Sequence, residues 1–268
     1  MSRIFVYKLL RISVIAVVLV PLLVRIQGLG IRGGIVTAAD IKPPVPVLVE
    51  LFTSEGCSSC PPADALLGKL DSLQPIPGAK VIVLSEHVTY WDHEGWRDPF
   101  SLDSITQRQA RYEEALHVDS SYTPQAVVDG VTEMVGSDAR KLVQAVTQSA
   151  AKPKAQLTIQ DAGWSDGAVH FAVHGGEDVA ALKATLVAAV AVDSAESSVS
   201  HGENSGKLLK HVAVVRVLEE MKRGSEDGRA LTLKLPAGGG SEALRLVVFL
   251  TDRHTGRVLA VAQQTISR

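Results

Sequence analysis

Apolar positions follow two rhythms along this chain, and the change from one to the other divides it. VPVLVELFT, from Val45 to Thr53, is a near-continuous apolar run interrupted by Glu50 and predicts a buried strand. AKVIVLSEHV predicts a second strand over Lys80 to Ser85, ending at Glu86 and His87. Between them ADALLGKLDSL sets Ala63, Leu66, Leu67, Leu70 and Leu73 at helical spacing, with Pro61 as first helical residue and Cys60 as cap. A mixed face of Ile105, Ala110, Tyr112 and Leu116 predicts a helix from about Asp103 to Leu116. QAVVDG then reads as a short strand, and SDARKLVQAVTQSA as a helix capped by Ser137 with Leu142, Val143 and Val146 on one face. The predicted order is β, α, β, α, β, optionally a further β, then α.

After a linker near Ala151 to Ala155 the period shortens to two. AQLTIQ, AVHFAVH, KATLVAAVAVD, LKHVAVVRVLE, ALTLKL, ALRLVVFLT and RVLAVAQQ are seven strand-like runs. Val169, Phe171 and Val173 alternate with His170, Ala172 and His174. Residues 155–268 therefore predict an all-β, sandwich-like domain behind an α/β domain over 43–150. HGENSGK, residues 201–207, reads as a polar turn with solvated charges, a partner-binding edge being the sharper alternative. This half shows no Ser-His-Asp order, phosphate loop, metal-ligand cluster or repeat.

Composition changes the picture at one end only. Lys and Arg number 27 against 29 Asp and Glu, a net charge of −2, without the basic excess of a nucleic-acid binder. Part of the 46% hydrophobic content belongs to residues 1–39, where Arg3, Lys8 and Arg11 precede an uncharged run of 13 residues, Ile12 to Val24. A spanning helix needs about 20, so this run fits the apolar core of a secretory signal better. VTAAD supplies small residues Thr37 and Ala39 before Asp40, although Arg25 and Arg32 intervene. The expectation is export, to the bacterial periplasm, with an uncleaved N-terminal anchor as the other reading and the only membrane contact.

The two cysteines, Cys57 and Cys60, stand three positions apart at the strand-to-helix junction. A disulfide closing so short a loop constrains the unfolded chain little, and a structural zinc site needs four ligands. Redox exchange is the best use of such a pair, and strand, Cys-Ser-Ser-Cys and helix is the context of a thioredoxin-like motif. A helix N-terminus there favours a thiolate. Cys57, the first of the pair, is expected to be the exposed, attacking thiol. Thr123-Pro124 before QAVVDG has the layout of the loop proline that lies against such a disulfide and leaves an adjacent backbone edge for substrate.

Between the second strand and that loop lies HVTYWDHEGWRDPFSLDSITQRQARYEEALHV, a helical insertion at about 87–118. Trp91 and Trp96 are candidates for a groove wall over the cysteines, or simply pack the insertion onto the domain. His87, at a strand's end, could approach the thiols. Asp92 and His93 could join it as metal ligands, a weak set.

ELFTSEGCSSCPPAD, HVTYWDHEGWRDPF, YTPQAVVDG and HGENSGKLLKHVAVVR together resemble an exported bacterial family catalogued as domain of unknown function 1223 and regarded as thioredoxin-like. The resemblance covers nearly all the chain after the signal. It implies the thioredoxin fold for the first half and places Cys57, Cys60 and Pro124, with Thr123, at that fold's redox positions. The expectation is a thiol-disulfide oxidoreductase acting on protein thiols or disulfides of the cell envelope, with no cofactor. The alternative is a non-enzymatic protein that docks a partner or holds a soft metal such as Cu(I) through Cys57, Cys60 and His87.

Overall fold

The computed structural model describes residues 42–93, 95–179, 182–221, 227–236 and 243–267. The predicted signal segment lies outside them, and no helix among the described residues is long and apolar enough to cross a membrane.

β1 (Val45–Thr53) runs parallel to β2 (Ala79–His87), joined through α1 (Pro61–Leu73). α2 (Asp103–Leu116) leads to β3 (Gln125–Val128), antiparallel to β1, then to β4 (Thr132–Val135) and α3 (Ala139–Ala150). The optional strand is thus present. α1 starts at Pro61 with Cys60 as cap, since proline's fixed φ and missing N–H suit the first helical turn.

Two helix details differ from the sequence expectation. The cap of α3 is Asp138, not Ser137, because its carboxylate reaches the Lys141 N–H at 3.0 Å; Ala145 turns inward with Leu142 and Val146, leaving Val143 exposed. On α2, Ala110 faces solvent while Arg108 and Gln109 are buried with Ile105 and Tyr112. Polar residues take the inner face because they answer polar residues opposite. Arg108 Nε donates to Glu50 Oε1 at 2.6 Å, its Nη2 donates to Tyr112 Oη at 2.9 Å, and Tyr112 Oη donates to Glu50 Oε2 at 2.6 Å.

The second half supplies β5 (Leu157–Ser165), β6 (Ala168–Gly175), β7 (Ala184–Ser198), β8 (Leu208–Glu220), β9 (Asp227–Lys234), β10 (Leu244–Asp252) and β11 (Val258–Ile266). All seven runs are strands, but they do not stand apart from the first half. Four of them continue its sheet, in the order β11-β10-β7-β8-β2-β1-β3-β4, with β8 meeting β2 in parallel at Ser85 and Val214. The other three form a separate sheet, β5-β6-β9. The protein is therefore mostly β, built on one large mixed sheet.

Successive strand residues point to opposite faces, and β7 and β10 show the consequence. Val187, Ala189, Ala191, Val247 and Phe249 join the core that also holds Val47, Leu51, Ile105 and Leu142. Leu186, Ala188, Val190, Leu246 and Val248 face a second core closed by Val169, Phe171, Val173 and Leu233 of the smaller sheet. Burial on both faces explains why KATLVAAVAVD reads as an unbroken apolar run.

Glu86 is the unpaired member of the buried charge cluster. Its nearest cation, Arg108 Nε, is 3.8 Å away, and neither carboxylate oxygen has a hydrogen-bond partner. Burial, and then the charge of Glu50, hold its carboxyl well above the ordinary range. A raised acid binds its proton more tightly when folded, so stability falls as pH rises from the unfolded value through the folded one. Glu86→Gln removes that loss. Urea unfolding from about pH 5 to about pH 8 should show the variant gaining on the wild type with pH, by at most about 1.4 kcal/mol per pH unit. Parallel curves would refute the assignment.

Candidate functional site

β1 ends at Thr53, and residues 54–60 turn into α1. Cys57 N–H donates to Ser54 O and Cys60 N–H to Cys57 O, both at 3.2 Å, and Gly56 N–H donates to Ser54 Oγ at 3.1 Å. This tight turn joins Cys57 and Cys60 in a disulfide with a Cα–Cα distance of 5.5 Å. Ser59 Oγ lies 3.3 Å from Cys57 Sγ. Ser58 and Ser59 are exposed, but Cys57 and Cys60 are both 0% exposed. The expected exposed first cysteine is therefore covered, for a reason found in the second half.

Two glycines let the other site elements approach. A Cβ on Gly56 would come within 3.1 Å of Trp91 Cβ and 3.2 Å of the Trp91 carbonyl. Trp91 lies on the turn just before Cys57, and its Nε1 donates to Thr123 Oγ1 at 2.7 Å. A Cβ on Gly136 would meet Ala63 at 3.2 Å and Pro124 Cβ at 3.3 Å, so Pro124 lies beside the first turn of α1. The Thr123–Pro124 bond is cis, and Pro124 O accepts the Gly136 N–H at 2.9 Å. The disulfide turn, Trp91 and the Thr123–Pro124 loop thus form one constellation.

Trp96 and His87 are tied to the buried residue Glu55, Trp96 at its carboxylate and His87 through Asp98 at its backbone N–H. Trp96 Nε1 donates to Glu55 Oε2 at 2.8 Å. The Glu55 N–H donates to Asp98 Oδ2 at 2.8 Å, and that oxygen also lies 2.7 Å from His87 Nδ1. His87 Nε2 is 3.2 Å from Ser85 Oγ. Both ring nitrogens of His87 thereby have partners. Ser85, His87 and Asp98 stand in the order of a nucleophile, base and orienting acid, yet all three are buried and Ser85 is 1% exposed, so Oγ is closed to a substrate carbonyl. Burial opposes ionisation of Asp98, but His87 and the Glu55 and Phe100 amides outweigh it and hold the carboxyl below its ordinary value. Among the described residues no group of three or more His, Cys, Asp or Glu is placed to hold a metal ion. Asp92 and His93 instead line an open cleft of about 770 Å³ with Thr89, Tyr90 and Arg97, which neither tryptophan lines.

Glu55 and Asp98 escaped the sequence reading, as did three residues of the second half. His211 of β8 is buried with Nε2 3.4 Å from Glu55 Oε1 and Nδ1 3.8 Å from Asp64 Oδ1, its ring 4.7 Å from that of His87. These distances are ion-pair contacts without hydrogen-bond geometry. Burial opposes the charge on His211, but the carboxylates of Asp64 and Glu55 outweigh it and push the imidazole up to about 9. Asn204 Nδ2 donates to Glu55 O at 2.8 Å and Cys57 O at 2.9 Å, and Glu203 Oε2 accepts the Ser58 N–H at 2.9 Å. In the stretch 201–207 the charged residues Glu203 and Lys207 are exposed, as expected of a polar turn, but Asn204 is buried against the backbone of the cysteine turn. The polar composition of the stretch hid this, because a buried asparagine and an exposed one look alike in sequence.

A family model described as "Protein of unknown function (DUF1223)" matches residues 48–251. No curated protein matches the chain. Among solved structures, protein AGR_C_4864 from Agrobacterium tumefaciens is similar at 25% identity and a TM-score of 0.58, over 83% of this chain and 95% of that one. HBP35 of Porphyromonas gingivalis shares the fold at 12% identity and a TM-score of 0.57, over 83% and 76%.

The position of His211 gives a pH signature. A histidine raised from an unfolded value near 6.5 contributes stability that is fully present below about pH 6.5 and lost as pH rises through about 9. His211→Gln should therefore cost about 3 kcal/mol below about pH 6.5, progressively less between about pH 6.5 and about pH 9, and little above that. Thermal unfolding of both proteins across that range tests this, and a constant difference would contradict it.

Proposed function

The chain belongs to the DUF1223 family of proteins of unknown function, and we propose that it is a thiol-disulfide exchange protein whose first half has a thioredoxin-like design. The observation that carries this reading is the convergence on one turn. The Cys57–Cys60 bond sits at the start of α1, with Trp91 against Gly56 and the Thr123–Pro124 loop against α1 through Gly136. The order β2-β1-β3-β4 with α1 joining the parallel pair supports the same design, and the packing of the β5-β6-β9 sheet on the shared sheet supports a sandwich-like role for the second half in bracing it.

The chemistry follows from the pair. A substrate thiolate attacks Cys57 Sγ, a mixed disulfide forms, and the electron pair of the broken bond goes to Cys60 Sγ, which takes a proton. A second substrate thiolate then attacks its own half of the mixed disulfide and releases Cys57. The substrate gains a disulfide and the protein becomes the dithiol; the reverse sequence reduces a substrate. Trp91 and Thr123 flank the attacked sulfur's turn and are the residues available to orient the incoming chain. The N-terminal signal reading places this exchange outside the cytoplasm, on thiols or disulfides of cell-envelope proteins.

The reduction potential of the pair, measured against glutathione buffers with thiol trapping, is expected between roughly −120 and −270 mV, and a value below about −300 mV would overturn the proposal. Cys57→Ser should abolish exchange with a protein disulfide, whereas Cys60→Ser should accumulate the mixed disulfide on Cys57.

A further inference from the structure

The loop between β7 and β8 carries more order than a connecting turn requires. Val199 N–H donates to Lys207 O at 3.0 Å, Gly206 N–H to Val199 O at 2.8 Å, and Ser205 Oγ to Ser200 O at 2.9 Å. This self-bonded frame presents two adjacent side chains to the cysteine turn. Asn204 is 0% exposed, and both its amide hydrogens go to carbonyls, of Glu55 and Cys57, while its Oδ1 accepts from Lys207 Nζ at 2.9 Å. A side chain so fully bonded at its polar end is fitted to its seat.

Glu203 is exposed but holds a specific amide. Its carboxylate accepts the N–H of Ser58, the first amide after Cys57. A thiolate on Cys57 would be stabilised by the amides that follow it in the turn ahead of α1 and by Ser59 Oγ, 3.3 Å from the sulfur. One of those donors is already taken by a negative charge, and a carboxylate held there also repels a thiolate forming beside it. Hydrogen bonds from Ser58 hold the Glu203 carboxyl below its ordinary value, with Lys207 attracting it further, so the competing charge persists at neutral pH.

We propose that the 199–207 loop is a built-in competitor for the exchange site: Asn204 locks Cys57 under cover, Glu203 occupies the amide a Cys57 thiolate needs, and exchange requires the loop to withdraw. The proposal rests on the exchange reading above and adds its positioning residues. It also explains why a pair read as reactive is wholly enclosed. A protein substrate would then have to displace Glu203 and Asn204 to reach the sulfur, so the loop selects for chains that bind the turn as well as supply a thiol.

The test uses the full mature protein and dithiothreitol as probe. One dithiothreitol sulfur attacks Cys57 Sγ, the electron pair of the broken bond passes to Cys60 Sγ, and the second dithiothreitol thiol closes its own ring to release the protein dithiol. Asn204→Ala should raise the second-order rate of reduction about tenfold, two buried hydrogen bonds of the cover being lost. Glu203→Gln should shift the glutathione equilibrium toward the dithiol by about tenfold, a potential about 30 mV less negative. It should also raise the alkylation rate of the reduced protein by iodoacetamide at mildly acid pH, and Glu203→Asp should restore wild-type behaviour. A merely structural role for Glu203 would leave alkylation and potential unmoved. If Asn204→Ala fails to fold, the Glu203 pair carries the test alone. Unchanged rates, potential and alkylation in a wild type that exchanges with protein disulfides would sink the loop proposal only. Faster reduction of the variants around a wild-type potential below about −300 mV would uphold the cover and sink the exchange reading.

Discussion

A buried carboxylate two residues ahead of Cys57 organises this molecule. Glu55 is 0% exposed, and a charge or its polar equivalent removed from water must be met by partners or it costs several kcal/mol. Its own segment supplies none. Trp96 of the insertion and His211 of β8 meet the carboxylate, while Asp98 of the insertion accepts the Glu55 N–H and Asn204 of the β7–β8 loop donates to the Glu55 carbonyl. The cysteine turn is therefore held in place only when the insertion and the second half are both seated. That dependence is the physical reason the second half is no mere appendage to the first.

The large sheet makes the same dependence continuous. β8 meets β2 at Ser85 and Val214, two residues before His87 on one strand and three after His211 on the other. The pairing thus brings the two imidazoles to 4.7 Å and sets the floor of the site. Arg108 enters from α2 to answer Glu50, so that the strand leading to the cysteines has charged partners along it as well as apolar ones. Because β7 and β10 bury both faces, the smaller sheet is needed to close the second core, and the chain has no subset of strands that would satisfy both. The cysteine turn on such a frame has little freedom of its own.

The sequence by itself determined the local elements and the pair of sulfurs. Val45–Thr53 and Asp103–Leu116 appear with the bounds their periodicity implied, and Pro61 starts α1 as its fixed φ requires, because these features depend on neighbours within a few residues. Cys57, Cys60 and the Thr123–Pro124 loop were legible for the same reason, each being a short pattern with a local meaning. Tertiary structure alone decided which polar residues are interior. Nothing local distinguishes Asn204 from Ser205, or Arg108 from Arg111, yet one of each is buried and the other is not. It also decided that His87 bonds Asp98, and that four strands of the second half extend the first sheet instead of standing apart. Strand-edge pairing and the burial of charge are settled between segments some 40 to 150 positions apart, from Asp98 to Asn204 on Glu55, and a one-dimensional pattern carries no record of which of them meet.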